Sequence, residues 1–122
     1  MYYVNDKEYT CSISITIDIF NDSWKLAIIW FLFESDKRYK ELNLAIPHIS
    51  QKTLTSKLKE LEAKGLINRE AFPEIPPKVV YSLTPLGRKI KPIVDEMSSW
   101  GVEYAKEHGE IREDEVVSNS GM

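Results

Sequence analysis

The sequence predicts a mainly α-helical domain with one small β-hairpin, and three observations predict it. Leu26 to Phe33 is an uninterrupted apolar run of eight residues, long enough for a buried helix and too short for a membrane span. Leu54, Leu58 and Leu61 fall on one stripe of a second helix, opposite short polar and basic side chains. After Gly65 the period changes. Leu66 to Phe72 and Lys78 to Leu83 are rich in β-branched and aromatic residues and flank the proline-rich stretch Pro73-Glu74-Ile75-Pro76-Pro77, which reads as a hairpin with a stiff tip.

Taken in order, Met1 to Glu8 is polar and mixed in charge, unlike a secretory signal. Ile13, Ile15, Ile17 and Ile19 then alternate as a strand would, while Ile13, Ile17 and Phe20 also mark a helical face; the local pattern favours strand. Asp22 or Ser23 caps a helix from Trp24 to about Glu34, apolar on all sides and therefore expected at the centre. A short helix is expected over Tyr39 to Ile46, with Tyr39, Leu42 and Ile46 facing one way, and Pro47 stops it. Ser50 opens the leucine-striped helix, which runs through about Lys64, with Gly65 in the terminating position. At about 100° per residue, Lys52, Thr55, Ser56 and Lys59 project away from the leucines. Thr84 and Pro85 supply N-cap and first position of the last helix. Its apolar residues Leu86, Ile90, Ile93, Met97, Trp100 and Tyr104 step by four and three, as in a helix packed on another helix, and Pro92 is expected to bend it. Glu110 to Met122 has almost no core-forming residues and is expected to be disordered, leaving residues 1–109 as one domain.

Composition narrows the function. The 122 residues carry a net charge of −3, but residues 37–91 hold 12 Lys+Arg against 5 Asp+Glu, a surplus of seven. The remainder holds 4 against 14, a deficit of ten. A basic middle between acidic ends binds a polyanion locally while the whole chain stays acidic. One cysteine excludes an intramolecular disulfide framework and fits a reducing cytoplasm. His48 and His108 are the only histidines, and no glycine-rich loop or metal-ligand spacing appears, so neither an enzyme nor a cofactor or metal site is expected.

Helix, helix, short turn, polar-faced helix, hairpin is the order of a winged helix-turn-helix. The major groove of DNA admits one α-helix, whose N-terminal residues reach base edges. Ser50, Gln51, Lys52 and Thr53 open such a helix, and Thr55, Ser56 and Lys59 continue its polar face. Gln pairs bidentately with adenine, and Lys reaches guanine or phosphate. Arg69 and Lys78, on opposite strands near the hairpin tip, and Arg38, entering the short helix, are expected phosphate contacts. Ile93, Met97, Trp100 and Tyr104 extend an apolar stripe past the point where the core is complete, so a second copy of the chain is expected to cover them. The reading is a sequence-specific transcriptional regulator, expected to repress, binding a pseudo-palindromic operator in double-stranded DNA as a homodimer, with no membrane involved. The alternative is a winged-helix protein-interaction module without DNA binding, whose mark would be an acidic or apolar face on the Ser50 helix.

The chain also resembles the HxlR family of winged helix-turn-helix regulators. The resemblance rests on Cys11, Trp24-Lys25-Leu26, Lys37-Arg38-Tyr39, Ile49 to Thr55, Leu58 to Glu62, Gly65-Leu66-Ile67, Pro76 to Thr84, Leu86-Gly87 and Trp100-Gly101. It implies a dimeric bacterial or archaeal transcription regulator whose terminal helices form the dimer interface, and it makes Ser12 to Phe20 helical, against the alternating pattern. The chain departs from the family at Ser12, where proline usually follows the cysteine. Several family members sense oxidants or electrophiles through the N-terminal cysteine, so the resemblance makes Cys11 a candidate redox sensor and an oxidant or other small molecule a candidate effector. Inert packing of a lone cysteine stands as the alternative, since no Lys, Arg or His adjoins it in sequence.

Overall fold

A computed structural model describes residues 1–110; the expected disorder of the tail falls almost entirely outside these. The chain opens with a hairpin that the sequence pattern did not suggest, β1 (Tyr2–Val4) and β2 (Lys7–Tyr9), paired Tyr2 to Tyr9 and Val4 to Lys7. Asn5 and Asp6 turn it with φ of 47° and 65°, the left-handed pair that matches the twist of a two-residue hairpin. α1 (Ser12–Ile19) is a helix, as the family resemblance requires and the alternation does not. Lys7 and the Tyr9 hydroxyl both donate to Asp18 Oδ2 at 2.7 Å, tying the hairpin to α1.

α2 (Ser23–Glu34) is the central helix. Asp22 caps it by accepting the Lys25 amide at 2.9 Å, and Ala27, Ile28, Ile29, Phe31 and Leu32 are buried around it. β3 (Lys37–Arg38) leads into α3 (Tyr39–Ala45), where the Arg38 amide donates to Glu41 Oε1 at 2.8 Å. After the Pro47-His48 turn, Ser50 caps α4 (Gln51–Ala63), whose Leu54, Leu58 and Leu61 are buried. α4 ends as its composition predicts: Gly65 adopts φ 77°, its amide donates to Glu62, and the Leu66 amide reaches back to Leu61.

β4 (Ile67–Phe72) and β5 (Lys78–Leu83) form the long hairpin, and β3 joins the far edge of β5, giving an antiparallel sheet of order β3-β5-β4. Ile67, Tyr81 and Leu83 face the core. The continuous last helix expected from the leucine-isoleucine stripe is in fact two, α5 (Pro85–Arg88) and α6 (Lys91–His108). Pro92 has no amide to donate to Arg88, so the helix restarts with proline in its first turn instead of bending through it. Among the described residues, no helix is long and apolar enough to cross a membrane.

Candidate nucleic-acid interface

The outer face of α4 is built from its own periodicity. With Leu54, Leu58 and Leu61 held in the core, Gln51, Lys52, Thr55, Ser56 and Lys59 are all exposed on the other side. They line an open groove together with Tyr39 and Glu60. Ser50 and Thr53 lie at the same end but are engaged in capping. The Ser50 hydroxyl donates to Thr53 Oγ1 and accepts the Thr53 amide, each at 3.0 Å, and Thr53 is half-buried.

Two groups of contacts hold this face in position, and neither was visible in the sequence pattern. Tyr39, expected as an apolar member of its helix, places its hydroxyl 3.0 Å from the Gln51 carbonyl oxygen and 3.0 Å from Thr55 Oγ1. On the opposite side, Lys57 Nζ sits 2.9 Å from Asp22 Oδ2 and 3.5 Å from Glu60 Oε2. Buried Lys25 lies 3.6 Å from the same Glu60 oxygen. Burial opposes ionisation of Asp22, but the Lys57 hydrogen bond and the Lys25 amide together hold its carboxyl below its ordinary value. Lys57 is raised in turn, chiefly by its hydrogen bond to Asp22. Lys57 therefore belongs to a clasp between α2 and α4, and Lys52 and Lys59 are the exposed lysines of the outer face among the described residues.

Arg38 and Arg69 are exposed. Only Lys78 is at the hairpin tip, where it pairs with Phe72 and holds its Nζ 5.2 Å from that ring centroid. Arg69 pairs with Tyr81 farther down the strand, and two-residue alternation puts it on the face of Ile67, against α4. It lines a narrow cleft with Tyr39, Thr55, Leu58, Lys59, Glu62 and Tyr81, not the tip. Ile75, by contrast, is fully exposed at the tip.

Away from this face, Ile93, Met97, Trp100 and Tyr104 are each half or more exposed along α6, while Val94 of the same helix is buried. Trp100 and Tyr104 stack at 5.4 Å between ring centroids, and Tyr104 and His108 at 4.4 Å. Ile13 and Ile17 of α1 are exposed as well, and so is Cys11, which stands at the N-cap of α1 and not in an apolar pocket. Among the described residues, no group of three His, Cys, Asp or Glu is placed to hold a metal ion.

A helical core, a polar-faced helix after a tight turn and a two-stranded wing define a winged helix-turn-helix of the kind found in transcriptional regulators. The chain belongs to the HxlR-like helix-turn-helix family, whose model matches residues 19–109. It is 40% identical over 111 residues to the HTH-type transcriptional regulator YkvN of Bacillus subtilis strain 168, itself uncharacterized, covering 91% of this chain and 94% of that one. Among solved structures it is similar to a chain from Porphyromonas gingivalis W83 assigned to the MarR family of transcriptional regulators. That match has 45% identity and a TM-score of 0.75 and covers 80% of this chain and 95% of the other. The redox regulator HypR in its oxidized form is 40% identical with a TM-score of 0.72, covering 76% and 96% of the two chains.

Proposed function

We propose that this protein is a sequence-specific DNA-binding repressor that acts as a homodimer on a pseudo-palindromic operator. The observation that carries the reading is the outer face of α4, where Gln51, Lys52, Thr55, Ser56 and Lys59 are exposed together opposite a buried leucine stripe. Such a helix enters the major groove with its first turns against base edges. Ser50 and Thr53 shape its N-terminus, which favours a phosphate oxygen. Arg38, Arg69 and Lys78 flank it and neutralise backbone phosphates. Ile93, Met97, Trp100 and Tyr104 are covered by the second subunit.

Equilibrium binding to duplex DNA across a salt series tests the reading. Each phosphate neutralised releases about 0.9 counterion, so the affinity should fall steeply with salt. Lys52→Glu should abolish specific binding with the fold intact, because Lys52 is exposed and outside the α2–α4 clasp. A salt slope near zero, or unchanged binding by Lys52→Glu, defeats it. The exposed Cys11 thiol is proposed as the point where an oxidant or electrophile acts. The same assay repeated after oxidant treatment should show a changed affinity in the native protein and none in Cys11→Ser.

A further inference from the structure

The two contacts of the Tyr39 hydroxyl have a consequence for what Thr55 presents to solvent. A phenol carries one proton, and the Gln51 carbonyl oxygen can only accept, so that proton goes to Gln51 across 3.0 Å. The second contact, 3.0 Å to Thr55 Oγ1, is then a hydrogen bond only if Thr55 donates to the phenol oxygen. Thr55 thereby commits its single proton inward, and its hydroxyl faces the groove with lone pairs alone. A helical threonine ordinarily turns its hydroxyl to the carbonyl four residues earlier, which for Thr55 is the same Gln51 oxygen. Tyr39 occupies that acceptor and gives the hydroxyl one fixed partner.

We infer that Tyr39 is a positioning residue for base specificity, making Thr55 an acceptor-only contact on the outer face of α4. The inference rests on the DNA-binding reading of that face. An acceptor-only hydroxyl in the major groove pairs with the amino groups of adenine N6 or cytosine N4, and meets guanine O6 or thymine O4 with two acceptors opposed. Without the phenol, the Thr55 hydroxyl divides its proton between the freed Gln51 oxygen and the groove, so it can donate outward and the distinction weakens. Gln51 and Lys52, which Tyr39 touches at most through the backbone, keep their own preferences.

Selection of bound sequences from a random duplex library, with the native protein, Tyr39→Phe, Thr55→Val and the double variant, tests this. Competition binding then measures the ratio at each position. The native protein should prefer adenine or cytosine about fivefold at one position in each half-site, the scale of a single hydrogen bond. In Tyr39→Phe and Thr55→Val that ratio should fall to about twofold or less, with the other positions unchanged and no further loss in the double variant. Thermal melting identifies any variant that fails to fold, and Thr55→Val, which leaves the Tyr39–Gln51 bond in place, supplies an independent measurement. A folded Tyr39→Phe with the native preference at every position overturns the inference, as does a loss spread evenly over all positions, which would make Tyr39 a packing residue. A native protein that selects no sequence at all overturns the DNA-binding reading itself, and this inference with it.

Discussion

Lys25 is an ammonium group only 6% exposed, and the chain tolerates it there because it donates to Asn21 Oδ1 at 3.3 Å and has the carboxylates of Asp22 and Glu60 within 3.9 and 3.6 Å. A buried cation left without its partner typically costs about 3–5 kcal/mol. Here Asp22 and Glu60 keep side-chain exposures of 25% and 46%, so solvent takes over part of the lost interaction. Asp22→Asn, which retains an N-cap side chain, should therefore destabilise the protein by about 1–2 kcal/mol at neutral pH. The sign of its pH dependence follows from linkage. A carboxyl held below 3.8 contributes stability above that value and loses it as pH falls through the lowered one. Lys57, raised above 10.5, contributes below 10.5 and loses it only as pH rises through its raised value. Urea unfolding of the two proteins should show a constant gap from about pH 5 to 9 that closes progressively in acid; a gap of unchanged size in strong acid would mean that the Asp22 charge is not its source. The capping role of Asp22 was legible from its place before an apolar run. Its partnership with Lys57 was not, because it joins side chains on two helices far apart in sequence.

The elements that the sequence made legible are those whose signals are local: the cap at Asp22, the leucine stripe and Gly65 of α4, and the two runs of the wing. Where the expectation failed, a competing local rule or a distant contact decided. The alternating isoleucines before Asp22 suited a strand, but β1 and β2 pair only with each other and Ser12–Ile19 forms α1 instead. As a helix the same alternation makes two apolar stripes, with Ile15 and Ile19 half-buried on one and Ile13 and Ile17 exposed on the other. The junction of α5 with the core shows a contact that only the fold reveals. The Thr84 amide donates to Leu66 O at 3.1 Å, and its hydroxyl donates to Gly65 O at 2.7 Å while accepting the Gly87 amide. That clamp draws Gly87 so close to the chain that a Cβ there would lie 2.2 Å from the Leu66 carbonyl oxygen. Backbone cannot yield as a side-chain tip does, so Gly87→Ala should cost about 2–3 kcal/mol and force α5 away from the wing root. Chemical denaturation measures the loss, and a variant as stable as the native protein would show that the α5 junction is looser than the geometry requires.

At the scale of the whole molecule, the basic surplus and most of the exposed apolar residues lie in different parts of the chain, Leu44, Ile75 and Leu86 excepted. The surplus of seven basic residues lies in residues 37–91, which hold α3, α4 and the wing, and the acidic excess lies toward the ends of the sequence, where exposed apolar residues of α1 and α6 also stand. That separation is consistent with one surface for a polyanion and another for a second copy of the chain. A side chain as large as Trp100, 65% exposed and stacked on an exposed Tyr104, leaves apolar area in water that association would remove. Trp100→Glu places a charge in that surface without touching α4, and should convert a dimer at micromolar concentration into a monomer by sedimentation. The consequence for DNA follows from symmetry. A two-fold dimer reads two inverted half-sites whose centres lie about 10–10.5 base pairs, or a multiple, apart. Linking two half-site contacts raises the affinity by orders of magnitude over either alone. In the proposed dimer each subunit would contribute its own phosphate contacts, so the monomeric variant should bind with about half the native salt slope as well as far more weakly. Trp100→Glu that remains dimeric would move the interface away from α6. A variant that becomes monomeric yet keeps the native affinity and slope would show that one subunit makes all the DNA contacts, and the operator would then carry a single asymmetric site.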